Sequence, residues 1–220
     1  MKKLLFTAFL VSIVVFTSSA QFSLSVYSGA GRSSFDKDIF NDPSLPTVKF
    51  SQSSYVPLGA QLNFNLPFIL SVGAEVNYAI VPYSFDINYP INGQDTKVAE
   101  LKAHQLFLGV VAKARLLPGP IVPYARVGAG LISGDIDIHW TDQIKQYLGP
   151  YGVALKDSTI NIKEAVGVNI GAGVEINFSE SGGLFGEIVY YFIQREEDIK
   201  NAQSFQANNY GIQVGWQFKF

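Results

Sequence analysis

The 220-residue chain is 48 % hydrophobic and 15 % charged, with a formal net charge of −2 and no cysteine. This balance excludes an intrinsically disordered chain. The lack of any basic run after residue 3 argues against nucleic-acid binding. Without cysteine there can be no disulfide, zinc–thiolate site or thiol catalysis.

The chain opens with Lys2 and Lys3, followed by an apolar run from Leu4 to Phe16 and then Thr17, Ser18, Ser19 and Ala20. This order of basic, greasy and small residues predicts a secretory signal peptide over 1–20, with a mature domain over 21–220 that starts at Gln21. The apolar run is shorter than the ~20 residues of a spanning helix. No cysteine follows the cleavage site, so a lipoprotein anchor is not expected. If the mature protein lies in a membrane, strands must hold it there.

Eight segments of period-two alternation follow. In the first, Phe22, Leu24 and Val26 oppose Ser23, Ser25, Tyr27 and Gly29. In the second, Val56, Leu58, Ala60, Leu62 and Phe64 oppose Gly59, Gln61 and Asn63. The third sets Phe68, Leu70, Val72, Ala74, Val76 and Tyr78 against Ser71, Gly73, Glu75 and Asn77. The fourth sets Leu106, Leu108, Val110, Ala112 and Ala114 against Gln105, Gly109, Lys113 and Arg115. In the fifth, Ala125, Val127, Ala129 and Leu131 oppose Tyr124, Arg126, Gly128 and Gly130. The sixth runs from Val166 to Phe178, with Gly167, Asn169, Gly171, Gly173, Glu175 and Asn177 on its second face. The seventh sets Leu184, Ile188, Tyr190 and Phe192 against Glu187 and Tyr191. In the last, Tyr210, Ile212, Val214, Trp216, Phe218 and Phe220 oppose Gly211, Gln213, Gly215, Gln217 and Lys219.

Short turns at 65–67, 118–119 and 180–183 alternate with long polar stretches near 32–54, 87–97, 139–161 and 197–207. One short loop helix is expected over Thr141 to Leu148, closed by Gly149 and Pro150. Even strand number and loop asymmetry predict an all-β fold, a closed antiparallel up-and-down barrel in a membrane. The second face is rich in Gly, Asn, Gln and Ser rather than Lys and Glu, which suits a crowded lumen better than a watered surface. Phe22, Phe64, Phe68, Phe178, Phe218 and Phe220 fall near the short turns. Tyr55, Tyr78, Tyr83, Tyr190 and Tyr210 fall near the long loops. These are read as two interfacial girdles. Closure would satisfy every backbone group in lipid. Pro57, Pro82 and Pro123 are expected near rims or bulges. Phe107, Val111, Val189 and Ile193 take the inward parity, which means either an apolar plug or a slipped register.

The last strand, Tyr210 to Phe220, resembles the C-terminal signal read by the barrel-assembly machinery, with Tyr210, Ile212, Val214, Trp216, Phe218 and Phe220 as its aromatic and apolar positions. The mature chain resembles small outer-membrane barrels of the OmpA/OmpX type, in strand number, loop asymmetry and terminal signal. The resemblance implies an integral protein of the bacterial outer membrane with both termini periplasmic and the long loops extracellular. It also implies a monomer surrounded by outer-membrane lipid and lipopolysaccharide, with the assembly machinery as partner during biogenesis.

Inward parity collects Glu75, Lys113, Arg115, Arg126, Glu175 and Glu187, three acids and three bases. In a narrow, water-poor lumen these must pair. A neutral network that holds the barrel shut is favoured over a gated conduit. His104 takes outward parity, and His139 stands beside Trp140. Neither has a Ser two residues on, as the lipid-A deacylase pattern requires, and no catalytic residue is assigned. Asp135 and Asp137 could bind a cation through oxygen, but solvated strand residues are the simpler reading. No cofactor or metal is expected.

The third to sixth strands, at ~15–19 residues, exceed the ~9–11 needed to cross. The excess would lift a sheet carrying Tyr83, Phe85, Ile87, Tyr89, Ile136 and Ile138 above the lipid. The function expected is a non-enzymatic surface barrel that helps shape the envelope and presents loops to an extracellular protein partner. The alternatives are a channel for small solutes or hydrophobic compounds and a lipid-A modifying enzyme.

Overall fold

The computed structural model describes residues 21–35, 47–51, 54–66, 69–91, 93–195 and 205–220. The expected signal segment and Phe68 lie outside the described residues. The strands are β1 (Gln21–Phe35), β2 (Thr47–Ser51), β3 (Ser54–Asn65), β4 (Leu70–Ile91), β5 (Gln94–Arg115), β6 (Ile121–Trp140), β7 (Ser158–Ser179), β8 (Gly182–Arg195) and β9 (Phe205–Lys219). Among the described residues one α-helix, α1 (Asp142–Leu148), stands between β6 and β7, followed by a 3-10 turn at Gly149–Tyr151.

Every pairing is antiparallel. β1 bonds to β3 on one side and β9 on the other, and the ladder runs on through β4, β5, β6, β7 and β8 back to β9. β2 and β3 both lie against β4, at Ser84–Asn88 and Ser71–Ile80, so they share one position in the ring. The result is a closed barrel of eight strand positions. Closure leaves no edge around the cylinder, which hydrocarbon demands of any sheet that crosses it.

The side chains are sorted as the alternation predicts. Leu108 and Val110 are 60 % and 61 % exposed, whereas Glu75 and Arg126 are 1 % and 4 % exposed. This is the inverse of a water-soluble fold, because the bulky apolar face looks out and the polar face is the core. Aromatic rings gather on the outside near the short turns. Phe22 and Phe64 are paired across β1 and β3 at 5.2 Å, and Trp216 lies 6.1 Å from Phe178 and 6.3 Å from Phe218. Tyr78 and Tyr210 are exposed near the opposite end. Tyr55 departs from the expected girdle. It is buried, with its ring over Gly31, because it shares parity with Pro57 and Gly59 rather than with the lipid-facing Val56.

The short turns are tight, and Gly119 at the β5–β6 turn has φ +140°, a conformation that favours glycine. The stretch near 87–97 is not a long loop. β4 and β5 continue as a paired hairpin almost to its tip, Ile91 opposite Gln94, with Gly93 at φ +78°. Pro82 falls inside the register shift between Ala79 and Tyr83, and Pro123 near the start of β6. Pro57 sits within the ladder opposite Ala79. The expected loop helix forms, with Thr141 preceding it and Gly149 at its end. The Thr141 hydroxyl donates to the carbonyls of Lys97 and Val98 instead of capping the helix, which ties α1 to β5.

β4, β5 and β7 each have 22 residues and β6 has 20, against 12 to 15 for β1, β3, β8 and β9. The long strands are roughly twice the length a crossing needs. Among the described residues, one side of the barrel therefore rises above the rest as a projecting sheet, with β2 added to it.

Candidate functional site

The lumen is built in layers, each from inward residues of several strands. Nearest the short turns, Arg115 donates through Nε to Glu175 at 3.1 Å and through Nη2 to Asn65 at 2.9 Å. In the same mouth, Lys219 donates to Asn177 at 2.6 Å. Above this, Lys113 is 1 % exposed and forms no ion pair among the described residues. Its ammonium lies over the rings of Tyr124 and Phe185, 4.9 and 5.2 Å from their centroids. Ring faces are negative, so they hold a desolvated cation without a counter-charge in contact.

At mid-barrel, Arg126 holds two carboxylates. Nη1 donates to Glu187 at 2.7 Å, and Nη2 donates to Glu75 and, at 3.0 Å, to Asn169. Tyr27 donates to Glu75 at 2.6 Å and Tyr124 to Glu187 at 2.8 Å. Charge-assisted bonds of this length are the strong ones, and a guanidinium fork suits two acids at once. Asn77 links the Tyr27 and Tyr191 hydroxyls, at 3.0 and 3.2 Å. Phe107, Ile132, Ala165, Val189 and Ile193 form one buried apolar cluster with Tyr191 in the lumen. Phe107, Val111, Val189 and Ile193 are therefore an inward plug and not a slipped register.

The structure thus gathers all six predicted lumen charges, but in unequal pairs. Arg126 takes two acids, Arg115 takes one, and Lys113 takes none in contact. Parity alone missed the tyrosines that complete the network, although Tyr27, Tyr124 and Tyr191 all share the inward face. The inward glycines make room for these groups. A Cβ at Gly59 would fall on the Tyr27 ring, and one at Gly173 would lie 2.6 Å from the Tyr124 hydroxyl. Glycine weakens a strand, and the bulky neighbour is what it serves here. A cavity of about 270 Å³ lies at the short-turn mouth. One of about 10 Å³ lies below the upper rim, lined by Tyr55, Phe107 and Tyr191 among others. The charged layers of Lys113 and Arg126 lie between the two.

The six apolar positions of the last strand, Tyr210, Ile212, Val214, Trp216, Phe218 and Phe220, all point outward. Its end is pinned by the Phe220 amide donating to the Phe22 carbonyl at 2.8 Å.

A family model described as the outer membrane protein beta-barrel domain matches residues 4–218. The chain belongs to this family. Among solved structures, this outer-membrane β-barrel is similar to neisserial surface protein A, at 12 % identity and a TM-score of 0.60, over 90 % of this chain and 97 % of that one. It is also similar to OprG of Pseudomonas aeruginosa, at 15 % identity and 0.54, over 91 % and 95 % of the two chains. A major outer membrane protein of Thermus thermophilus gives 13 % identity and 0.54, over 92 % and 100 %. At these identities the likeness is one of fold. No curated protein matches in sequence.

Family membership makes the barrel an integral protein of the bacterial outer membrane, and hydrocarbon the medium around its exposed apolar belt. The projecting sheet carries a second set of polar groups on its outward face. His104 stacks on Tyr78 at 6.1 Å and 2°, with Nε2 3.4 Å from Asp137. Thr159 donates to the same carboxylate at 2.7 Å. Lys97 pairs with Asp86 at 2.7 Å, a hydrogen bond that raises its ammonium above the usual lysine range. Asp157 accepts from Lys145 at 3.0 Å and from the Trp140 amide at 3.2 Å, and lies 3.3 Å from His139 Nδ1. These donors, Lys145 first, pull its carboxyl down to about 2. Asp137 is thus engaged by His104 and Thr159, and no group of three His, Cys, Asp or Glu among the described residues is placed to hold a metal.

Proposed function

We propose that this barrel is a sealed, non-enzymatic surface protein whose projecting sheet binds a partner outside the cell, with both termini and the short turns in the periplasm. The observation that carries this reading is a contrast within one molecule. The lumen is filled by paired charges and an apolar plug, while β4 to β7 extend far beyond what a crossing needs. Chain length spent outside the lipid has no part in closing the barrel.

Among the described residues, the sheet also has an open edge. β8 pairs with β7 only from Val166 onward, so among the described residues Ser158–Ala165 is bonded to β6 alone. An edge of this kind offers a row of backbone donors and acceptors to an extended segment of another protein. Ile160, on this edge, is 53 % exposed. The histidines lend no support to a lipid-A enzyme. His104 is held between Tyr78 and Asp137, and His139 leans on Asp157.

The test is to trim the projection and keep the barrel. Residues 84–101 and 136–160 are each replaced by a two-residue Asn-Gly turn, and binding of cells to host matrix proteins or to one another is compared with the intact protein. Loss of binding with unchanged heat-modifiable gel mobility is expected. Unchanged binding by the trimmed barrel would count against the proposal.

A further inference from the structure

The cavity at the short-turn mouth plays no part in sealing the lumen. Its apolar lining includes Leu66 and Ile69, between β3 and β4, and Leu117 in the turn after β5. Its charged lining is Arg115, Glu175 and Lys219, two cations against one carboxylate. The Glu175 carboxylate is already held by Arg115, at 3.1 Å from Nε and 3.4 Å from Nη2. Nη1 of Arg115 donates to no protein acceptor among the described residues. Lys219 is partly buried and donates to the neutral amide oxygen of Asn177, and it forms no ion pair among the described residues. Among the described side chains that line it, the mouth therefore keeps one positive charge in excess, inside a hollow.

The two cations face the hollow from opposite walls. Arg115 ends β5 and Lys219 ends β9, and four strand positions separate β5 from β9 in either direction around the ring. A planar carboxylate presents its oxygens in one plane. A tetrahedral phosphate presents them in several directions, so it can meet an arginine from one side and a lysine from the other. The volume, about 270 Å³, is just under the range of drug-sized pockets and suits a headgroup or small metabolite.

We propose that this vestibule binds a phosphate group, carried on a small phosphate ester or on the headgroup of a lipid in the adjacent leaflet, with Arg115 and Lys219 as its donors. The lining leucines and Ile69 would lie against the glycerol or acyl part. The proposal is independent of the partner-binding reading, because the site is at the other end of the barrel.

The experiment follows acylation of Lys219 in the refolded wild-type protein by mass spectrometry, with the exposed Lys156 as internal control. In uncharged detergent, inorganic phosphate and glycerol 3-phosphate are the soluble probes, against sodium chloride at matched ionic strength. Nanodiscs of phosphatidylglycerol, against nanodiscs of an uncharged phosphate-free glycolipid, are the lipid arm. Acylation of Lys219 is expected to slow several-fold with Lys156 unchanged. Slowing by the soluble probes identifies a solute site, and slowing only in phosphatidylglycerol identifies a headgroup site. No slowing in either arm, or equal slowing by sodium chloride, overturns the proposal. Where Lys219→Gln folds, phosphate affinity read by phosphorus NMR should fall about tenfold, with Lys219→Arg retaining it. Equal binding by Lys219→Gln also overturns it.

Discussion

Arg126 is the residue on which the lumen depends most. It is the direct counter-ion of both Glu75 and Glu187, and it is only 4 % exposed. Replacing it with Leu leaves two buried carboxylates unpaired, which costs about 3–5 kcal/mol. Urea unfolding of the refolded protein in lipid vesicles measures this. Glu75→Gln is expected to cost less, since the amide oxygen still accepts from the guanidinium. The glycines give a second prediction at this scale. Gly59→Ala should destabilise by about 1–3 kcal/mol, because its methyl group meets the Tyr27 ring. Gly186→Ala, on the lipid face with its nearest neighbour at 3.9 Å, should stay within about 0.5 kcal/mol of wild type. Alternation along one strand was enough to read which side chains turn inward. It did not reveal that Arg126 takes two acids and Lys113 two rings, because those contacts cross the lumen and depend on how strands are staggered around it. Tyr55 was misplaced for a related reason. Its nearness to a long loop suggested an interfacial ring, while its parity with Gly59 pointed inward.

At the scale of elements, the loop around α1 is held by a small set of polar bonds to Asp157. The carboxyl is drawn below its ordinary value, so the contact is at full strength above pH ~4 and is lost as pH falls through about 2. Protection of the Trp140 amide, its exchange rate relative to an unprotected amide at the same pH, should therefore hold down to pH ~4 and fall below it. Asp157→Asn should give the faster exchange at neutral pH and converge on wild type as pH falls through about 2, and added salt should do part of the same, as for any exposed charge pair. An amide as slow in Asp157→Asn as in wild type would remove this clasp from the account. The helix itself was legible from the residues Thr141 to Pro150. The β4–β5 hairpin was not. Asn88, Pro90, Asn92 and Gly93 have the composition of a loop, and only the register, Tyr89 opposite Thr96 and Ile91 opposite Gln94, shows that the strands continue. Shifts near Pro82 and beside Ile87 also break the alternation, so the length of the projection was underestimated.

For the whole molecule, the inverted distribution of apolar and polar surface was the most legible feature, since it is repeated in each of the eight alternating segments. It accounts for a cylinder with a wet-chemistry core and a hydrocarbon exterior. A lumen filled in this way should not conduct. Refolded wild-type protein in a planar bilayer is expected to show no stable large openings, and long-lived large conductance steps would mean that the charged layers do not seal it.

The grip of Arg126 on its two acids ties together strands that never lie side by side. Glu75 belongs to β4, Arg126 to β6 and Glu187 to β8, with another strand between each pair. No single hairpin, nor any flat run of neighbours, can bring those three groups within reach. The ionic knot becomes available only when the ribbon has rolled up, so its bonds act as a latch that distinguishes the finished cylinder from every partly assembled sheet.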